Sequence, residues 1–227
     1  METQQKTINV EELKQRIIRQ RNTRKIFRLP MDADSAKELL KDAYIAEVQK
    51  RGRRPVYSTA TSEKIGQLAD FLTTKSPKFG FMLSGNVGNG KTTLLYAFQT
   101  LLNCMRIKMP QNGGAESEWD VYGIRIVDAA DVSRMALNRD EAWKRLRNED
   151  MLAIEDMGKE PTETMSYGNV FSPITELMEY RYDKQLFTAV TTNLTPRQIS
   201  EKYGERIADR FREMFCKIVF KNDSYRS

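Results

Sequence analysis

The chain has 227 residues, enough for one large α/β domain or for a domain with a small appendage, and its 40% apolar and 30% charged content is ordinary for a globular protein. No run approaches the roughly 18 apolar residues of a membrane helix, and METQQKTINVEEL has no apolar h-region, so neither a membrane span nor a signal peptide is expected. With no histidine and only two cysteines, Cys104 and Cys216, a His/Cys zinc site and a histidine-based triad are excluded, and the expected setting is a reducing cytoplasm.

The net charge of +6 lies wholly in residues 1–60, which hold 14 Lys/Arg against 8 Asp/Glu, while residues 61–227 hold 23 of each. Between Leu13 and Leu29 stand Lys14, Arg16, Arg19, Arg21, Arg24, Lys25 and Arg28, with no acid. Such a block suits a polyanion or an acidic protein face, or equally a solvated tail. Residues 9–28 read as a basic helix with few apolar anchors. Leu39, Leu40, Ala43 and Ala46 repeat at helical spacing over 34–51, so a second helix is expected there. Arg51-Gly52-Arg53-Arg54-Pro55 breaks the pattern and reads as a linker. Residues 1–55 therefore form an expected helical module, and residues 56–227 the main domain.

In the main domain Ile65, Leu68, Ala69 and Leu72 share one face of a helix expected over 62–72. Five short apolar runs follow at 79–84, 121–127, 151–155, 186–192 and 216–220, and helical segments lie between most of them. Strands alternating with helices predict a five-stranded parallel sheet covered on both faces, with ligands beyond the carboxyl ends of the strands. KMPQNGGAESEWD at 108–120 reads as a surface loop.

Gly85-Asn86-Val87-Gly88-Asn89-Gly90-Lys91-Thr92 matches G-x-x-x-x-G-K-[ST] at every position, and Thr93 follows. Its glycines allow backbone N–H groups to turn inward around phosphates. Lys91 would reach the β- and γ-phosphates, Thr92 would hold Mg²⁺, and the helix TTLLYAFQTLL would add its positive dipole end. A hydrophobic strand immediately before the run is the context such a loop requires.

MLAIEDMG puts Glu155 and Asp156 at the end of an apolar strand. Two adjacent carboxylates repel unless a cation compensates, and Mg²⁺ bound with ATP would do so. One acid can then serve the metal shell while the other orients and polarises the attacking water. Asn193 stands at the end of a further strand, beside the acidic pair. Arg206 and Arg210 are four apart and share a helical face, as catalytic arginines or as part of a charged solvent stripe.

With these motifs the chain resembles an AAA+ ATPase of the bacterial helicase-loader and transposition-helper group, the DnaC, DnaI and IstB families. The resemblance covers about residues 57–227. It implies a P-loop three-layer α/β fold with no lid domain, and it gives Glu155 the metal-side place and Asp156 the water-activating place. Thr192-Asn193 resembles the sensor-1 position. YGERIADRFREM resembles the box VII helix, in which Arg210 would take the arginine-finger place toward a neighbouring subunit and Arg206 would support it. In the tail NDSYRS, Arg226 falls at the sensor-2 place. The group's order of acids is Asp-Asp or Asp-Glu, so Glu155-Asp156 departs from it by one methylene at each position.

The resemblance implies an ATPase that uses Mg²⁺, forms a nucleotide-dependent homo-oligomer and serves DNA replication. As a helicase loader it would deliver a replicative helicase to single-stranded DNA, with residues 1–55 docking the helicase. As a transposase helper it would bind double-stranded DNA. A third alternative is a nucleotide-gated binding module with negligible hydrolysis. Lys144, Arg145 and Arg147 are the candidate DNA contacts in the core.

Overall fold

The computed structural model describes residues 9–19, 26–56, 58–109, 121–162, 164–166, 169–221 and 225. A five-stranded sheet organises them: β1 (Gly80–Gly85), β2 (Arg125–Asp128), β3 (Met151–Met157), β6 (Phe187–Thr192) and β7 (Phe215–Phe220), in spatial order β2-β3-β6-β1-β7. Every pairing is parallel. The expected sheet is present, but its second strand starts at Arg125. Residue 121 only bridges Lys108, and 110–120 lie outside the described residues. A short hairpin, β4 (Thr164–Ser166) with β5 (Asn169–Phe171), has no counterpart in the apolar pattern.

Alternation along the strands builds two cores. Phe81 and Leu83, Ala153, Phe187 and Ala189, and Ile218 and Phe220 face a layer of α2 (Ala33–Lys50), α3 (Thr59–Thr73) and α4 (Lys91–Met105). Met82, Leu152, Ile154 and Val190 face α5 (Ala129–Asn138), α6 (Glu141–Asn148), α7 (Pro173–Asp183), α8 (Pro196–Tyr203) and α9 (Glu205–Met214). Burial on both faces is what makes these strands read as nearly continuous apolar runs.

The chain does not divide at residue 55 in its packing. Phe27, Leu29, Leu40 and Tyr44 belong to the same core as Ile65, Leu94 and Phe98, and α2 lies against both α3 and α4. Buried Glu47 accepts from Thr100 Oγ1 at 2.9 Å, tying α2 to the middle of α4. The first helix, α1, is described over Val10–Arg19, residues 20–25 lie outside the described residues, and residues 26–29, expected to be helical to 28, are not helical. Phe27 instead meets Phe187 edge-on at 5.7 Å, and Leu29 N–H donates to Leu72 O at 2.7 Å. Phe27 is thereby buried in the core, packed on Phe187 and Tyr122.

On the other side, Arg181 of α7 is wholly buried. It donates to the carbonyls of Arg147, Glu149 and Phe187 and to Thr188 Oγ1, at 2.7–3.1 Å. Arg181→Ala strands those carbonyls, each costing about 1–3 kcal/mol when left unpaired. The expected outcome is a loss of about 3 kcal/mol or more, read as a lower urea midpoint with an unchanged slope.

Candidate functional site

β1 ends in the glycine-rich loop, and α4 starts from it. Gly85 has φ 142°, and a Cβ there would sit 2.2 Å from Phe220 O of neighbouring β7. Gly90 has φ 98°, and its Cβ would lie 2.6 Å from the Tyr44 hydroxyl oxygen. The loop thus runs closer to β7 and α2 than any side chain permits. Buried Asn89 braces it by donating from Nδ2 to Phe220 O at 3.2 Å. Lys91 Nζ lies inside the loop, donating to Gly85 O at 2.8 Å, Asn86 O at 2.5 Å and Asn89 Oδ1 at 3.1 Å. From the far end of the chain, Tyr225 N–H donates to Gly88 O at 2.9 Å, and its hydroxyl contacts Thr61 Oγ1 at 2.7 Å.

The acidic pair is shaped by an irregularity in β3. One extra residue lies between Ile154, opposite Val190, and Met157, opposite Thr192. Asp156 takes up the bulge with a left-handed φ of 56°, and its N–H donates to Thr191 Oγ1 at 2.9 Å. In a regular strand two successive side chains point to opposite faces. The bulge breaks that rule, and Glu155 and Asp156 both line one cleft. Lys159 pairs with Asp156 Oδ2. Glu155 Oε2 accepts from Tyr96 Oη at 3.4 Å, and burial followed by the nearby Glu155 charge raises the Tyr96 pKa.

That cleft has a volume of about 640 Å³. It brings together Val87 to Thr93, Glu155, Asp156 and Asn193, all singled out in the sequence. Gly85 and Asn86 form the loop's base, with their carbonyls turned to Lys91. The residues fit a nucleotide with its metal. The loop's glycines let it close against Phe220 O and the Tyr44 hydroxyl at the edge of the cleft, and Asn193 Oδ1 is buried with no hydrogen-bond partner among the described residues. Among those residues no cluster of three His, Cys, Asp or Glu side chains could hold a metal ion by itself.

Other candidates lie elsewhere. Arg206 and Arg210 do not line the cleft: Arg210 pairs with Glu179 at 3.1 Å and Asp183 at 3.8 Å of α7 and lies over the Tyr182 ring, while Arg206 is 3.5 Å from the same Glu179. Arg226 falls outside the described residues. In the basic N-terminal run, Lys14 and Arg16 pair with Glu11 and Glu12, and Arg28 spends its guanidinium on the carbonyls of Phe27, Thr74, Ser76 and Lys78. Arg19, Arg21, Arg24 and Lys25 lie in or beside the part whose side chains are not described. Lys144 and Arg147 pair with Glu141 and Glu176, so the expected DNA patch on α6 is largely neutralised.

Sequence reasoning missed several cleft residues. Tyr44, Val48, Arg51, Arg53 and Arg54 reach it from α2 and the turn after it. In sequence that turn reads as a linker, and its one signal is three arginines within four residues. Burial pushes the Tyr44 hydroxyl up to about 12, so it remains a protonated donor at the loop.

A parallel sheet in this order, with a phosphate loop after its first strand and paired acids on the neighbour-but-one strand, defines an AAA+-type P-loop fold. The same fold recurs in proteins of DNA replication. A solved DnaC helicase loader is similar at TM-score 0.56 and 19% identity, over 80% of this chain and 99% of that one. A DnaI structure is similar at 0.55 and 18%, over 76% and 87%. AMPPCP-bound DnaA from Aquifex aeolicus is similar at 0.50 and 14%, over 74% and 49%. No protein-family model and no curated protein sequence matches the chain.

Two outcomes test this geometry. Asp156→Asn keeps a side chain that tolerates left-handed backbone and changes stability by less than about 0.5 kcal/mol, whereas β-branched Asp156→Val costs about 1–2 kcal/mol in urea unfolding. The folded Tyr44 value lies above its ordinary 10, so its contribution is complete below pH 10 and is lost as pH climbs through about 12. Unfolding measured from pH 9 to 12 should show that loss, and Tyr44→Phe should remove it.

Proposed function

We propose that the chain binds ATP with Mg²⁺ in this cleft and hydrolyses it slowly in the service of DNA replication, as a helicase-loading factor. The observation that carries the reading is the convergence of the phosphate loop, both bulge-directed carboxylates and Asn193 on one cleft. Resemblance of the fold to a DnaC helicase loader and to DnaI supports the loader role.

Each residue has a task that its position allows. Lys91 exchanges its loop carbonyls for phosphate oxygens and carries a fixed positive charge at the end of α4. Thr92 and Glu155 would hold the metal, and Asp156 and Asn193 would orient the attacking water. The nucleotide supplies the scissile phosphoanhydride and its metal the charge that polarises it. In the described conformation Lys159 occupies Asp156 Oδ2. The pair joins Asp156 to a lysine whose side chain is 60% exposed, so it opens readily when a ligand enters.

The proposal extends to a nucleotide-dependent oligomer, to a replicative helicase as partner and to single-stranded DNA. Arg206 enters it as an exposed residue of α9, and Arg210, packed against α7, reaches a neighbouring copy only by leaving Glu179 and Asp183. Among the described residues no helix is long and apolar enough to cross a membrane.

Equilibrium binding and steady-state turnover test the core of this reading. Lys91→Ala should abolish ATP binding. Asp156→Asn should bind ATP as the parent does and lose about 10²–10⁴-fold in turnover. Tight binding by Lys91→Ala, or full turnover by Asp156→Asn, would remove the assignment. Capture of the host's replicative helicase by the ATP-bound chain is expected, and a transposase captured in its place would move the role to transposition.

A further inference from the structure

The turn that closes α2 delivers three guanidinium groups to the phosphate loop. Arg51 is the C-cap residue of α2, and Gly52 follows with a left-handed φ of 68°, which ends the helix there. Pro55 then holds Arg54 to extended backbone. The turn has a fixed place because α2 is anchored by Leu40 and Tyr44 in the core and by Glu47 on Thr100 of α4. Since α4 begins at Lys91, the same anchoring sets the distance from the arginines to the cradle.

Arg51 is already engaged with the cradle's wall. Its Nη1 donates to Thr93 Oγ1 at 3.1 Å, and its guanidinium lies 5.5 Å from the Tyr96 ring centroid. Tyr96 in turn donates to Glu155. Arg51, Arg53 and Arg54 all line the cleft, and among the described residues none of them has a carboxylate partner. Arg210, Arg147, Arg139 and Arg125 each have one. Counting Lys91 and Lys159, five basic side chains face the two acids of the cleft. Uncompensated guanidinium charge converging on a concave site beside a phosphate loop calls for a polyphosphate, whose oxygens the planar fork matches.

We propose that Arg51, Arg53 and Arg54 form a clamp on the nucleotide's phosphates, supplied in cis from the turn after α2. This rests on the proposed nucleotide site and deepens it. The clamp places positive charge on the chain's own phosphate site without help from α9, whose Arg210 is committed to Glu179 and Asp183. It also gives α2 a role in the site: the helix carries the clamp, and a partner that shifts α2 would loosen the nucleotide.

Binding of ATP and of inorganic tripolyphosphate is measured by calorimetry for the parent, Arg51→Ala, Arg53→Ala/Arg54→Ala and Lys91→Ala. Arg197→Ala, an exposed residue on α8 paired with Glu201, is the control. Thermal unfolding without nucleotide verifies that each variant is folded. The clamp predicts a loss of about 10–100-fold for both ligands in each arginine variant, with Arg197→Ala unchanged. Parental affinity in the arginine variants, with Lys91→Ala defective, overturns the clamp and leaves the nucleotide site standing. A loss for ATP without a loss for tripolyphosphate overturns it too, because the arginines would then read base or ribose. Unchanged nucleotide affinity with weakened single-stranded DNA binding would assign the turn to nucleic acid instead. Failure of the parent to bind ATP would sink the nucleotide site itself.

Discussion

One hydrogen bond, from the Asp156 amide to Thr191 Oγ1 on the adjacent strand, holds the chemistry of this protein in place. It stabilises an extra residue in β3 and with it a left-handed aspartate, a conformation costing on the order of 1 kcal/mol for a residue with a Cβ. Without the bulge, pleating would send Glu155 and Asp156 to opposite sides of the sheet, and one acid would be lost to the cleft. Wholly buried Thr192 supports the same place by donating to Met157 O at 2.6 Å. The geometry of the acidic pair therefore depends on two uncharged threonines of β6, neither of which lines the cleft.

Below the bulge, the segment after β3 is also tied down. Glu160 is buried, accepts from Gly158 N–H at 2.8 Å and from the Tyr203 hydroxyl, and lies 3.6 Å from Lys202. Burial, with the Glu160 hydrogen bond, raises the Tyr203 pKa, so the phenol stays a donor to the carboxylate. These contacts connect α8 to the turn that carries Lys159, the partner of Asp156.

Charge in this chain is informative only after pairing is known. The basic block near the N-terminus stands out in composition, yet Lys14, Arg16 and Arg28 have partners of their own. The turn at 51–54 is less conspicuous, and it holds the arginines that face the cleft without carboxylates among the described residues. Arg181 has the opposite character, a cation sealed in the interior among carbonyls, where it ties α6, α7 and β6 together.

The sheet, its parallel sense, the phosphate loop, the acidic pair and Asn193 were legible in the residue order, because each is a contiguous pattern. An apolar run bounded by helices marks a strand, and a cradle for phosphate needs its glycines and lysine at fixed local spacing. The linker reading of 51–55 matches the irregular backbone between α2 and α3, but it gave no sign that Arg51, Arg53 and Arg54 line the cleft, because a helix cap followed by Gly52 and Pro55 looks the same whether its neighbours face solvent or a cleft. Arg210 could not be placed from helical spacing, since its partners Glu179 and Asp183 lie on another helix. The amino-acid order thus pointed to the loop, the acids and Asn193 as candidate ligand groups, and it left out the three arginines of the turn after α2. Packing alone decided which of them meet: the bulge, the docking of α2 and the pairing of α9 with α7 are contacts between residues far apart in sequence, and no local pattern encodes who stands opposite whom.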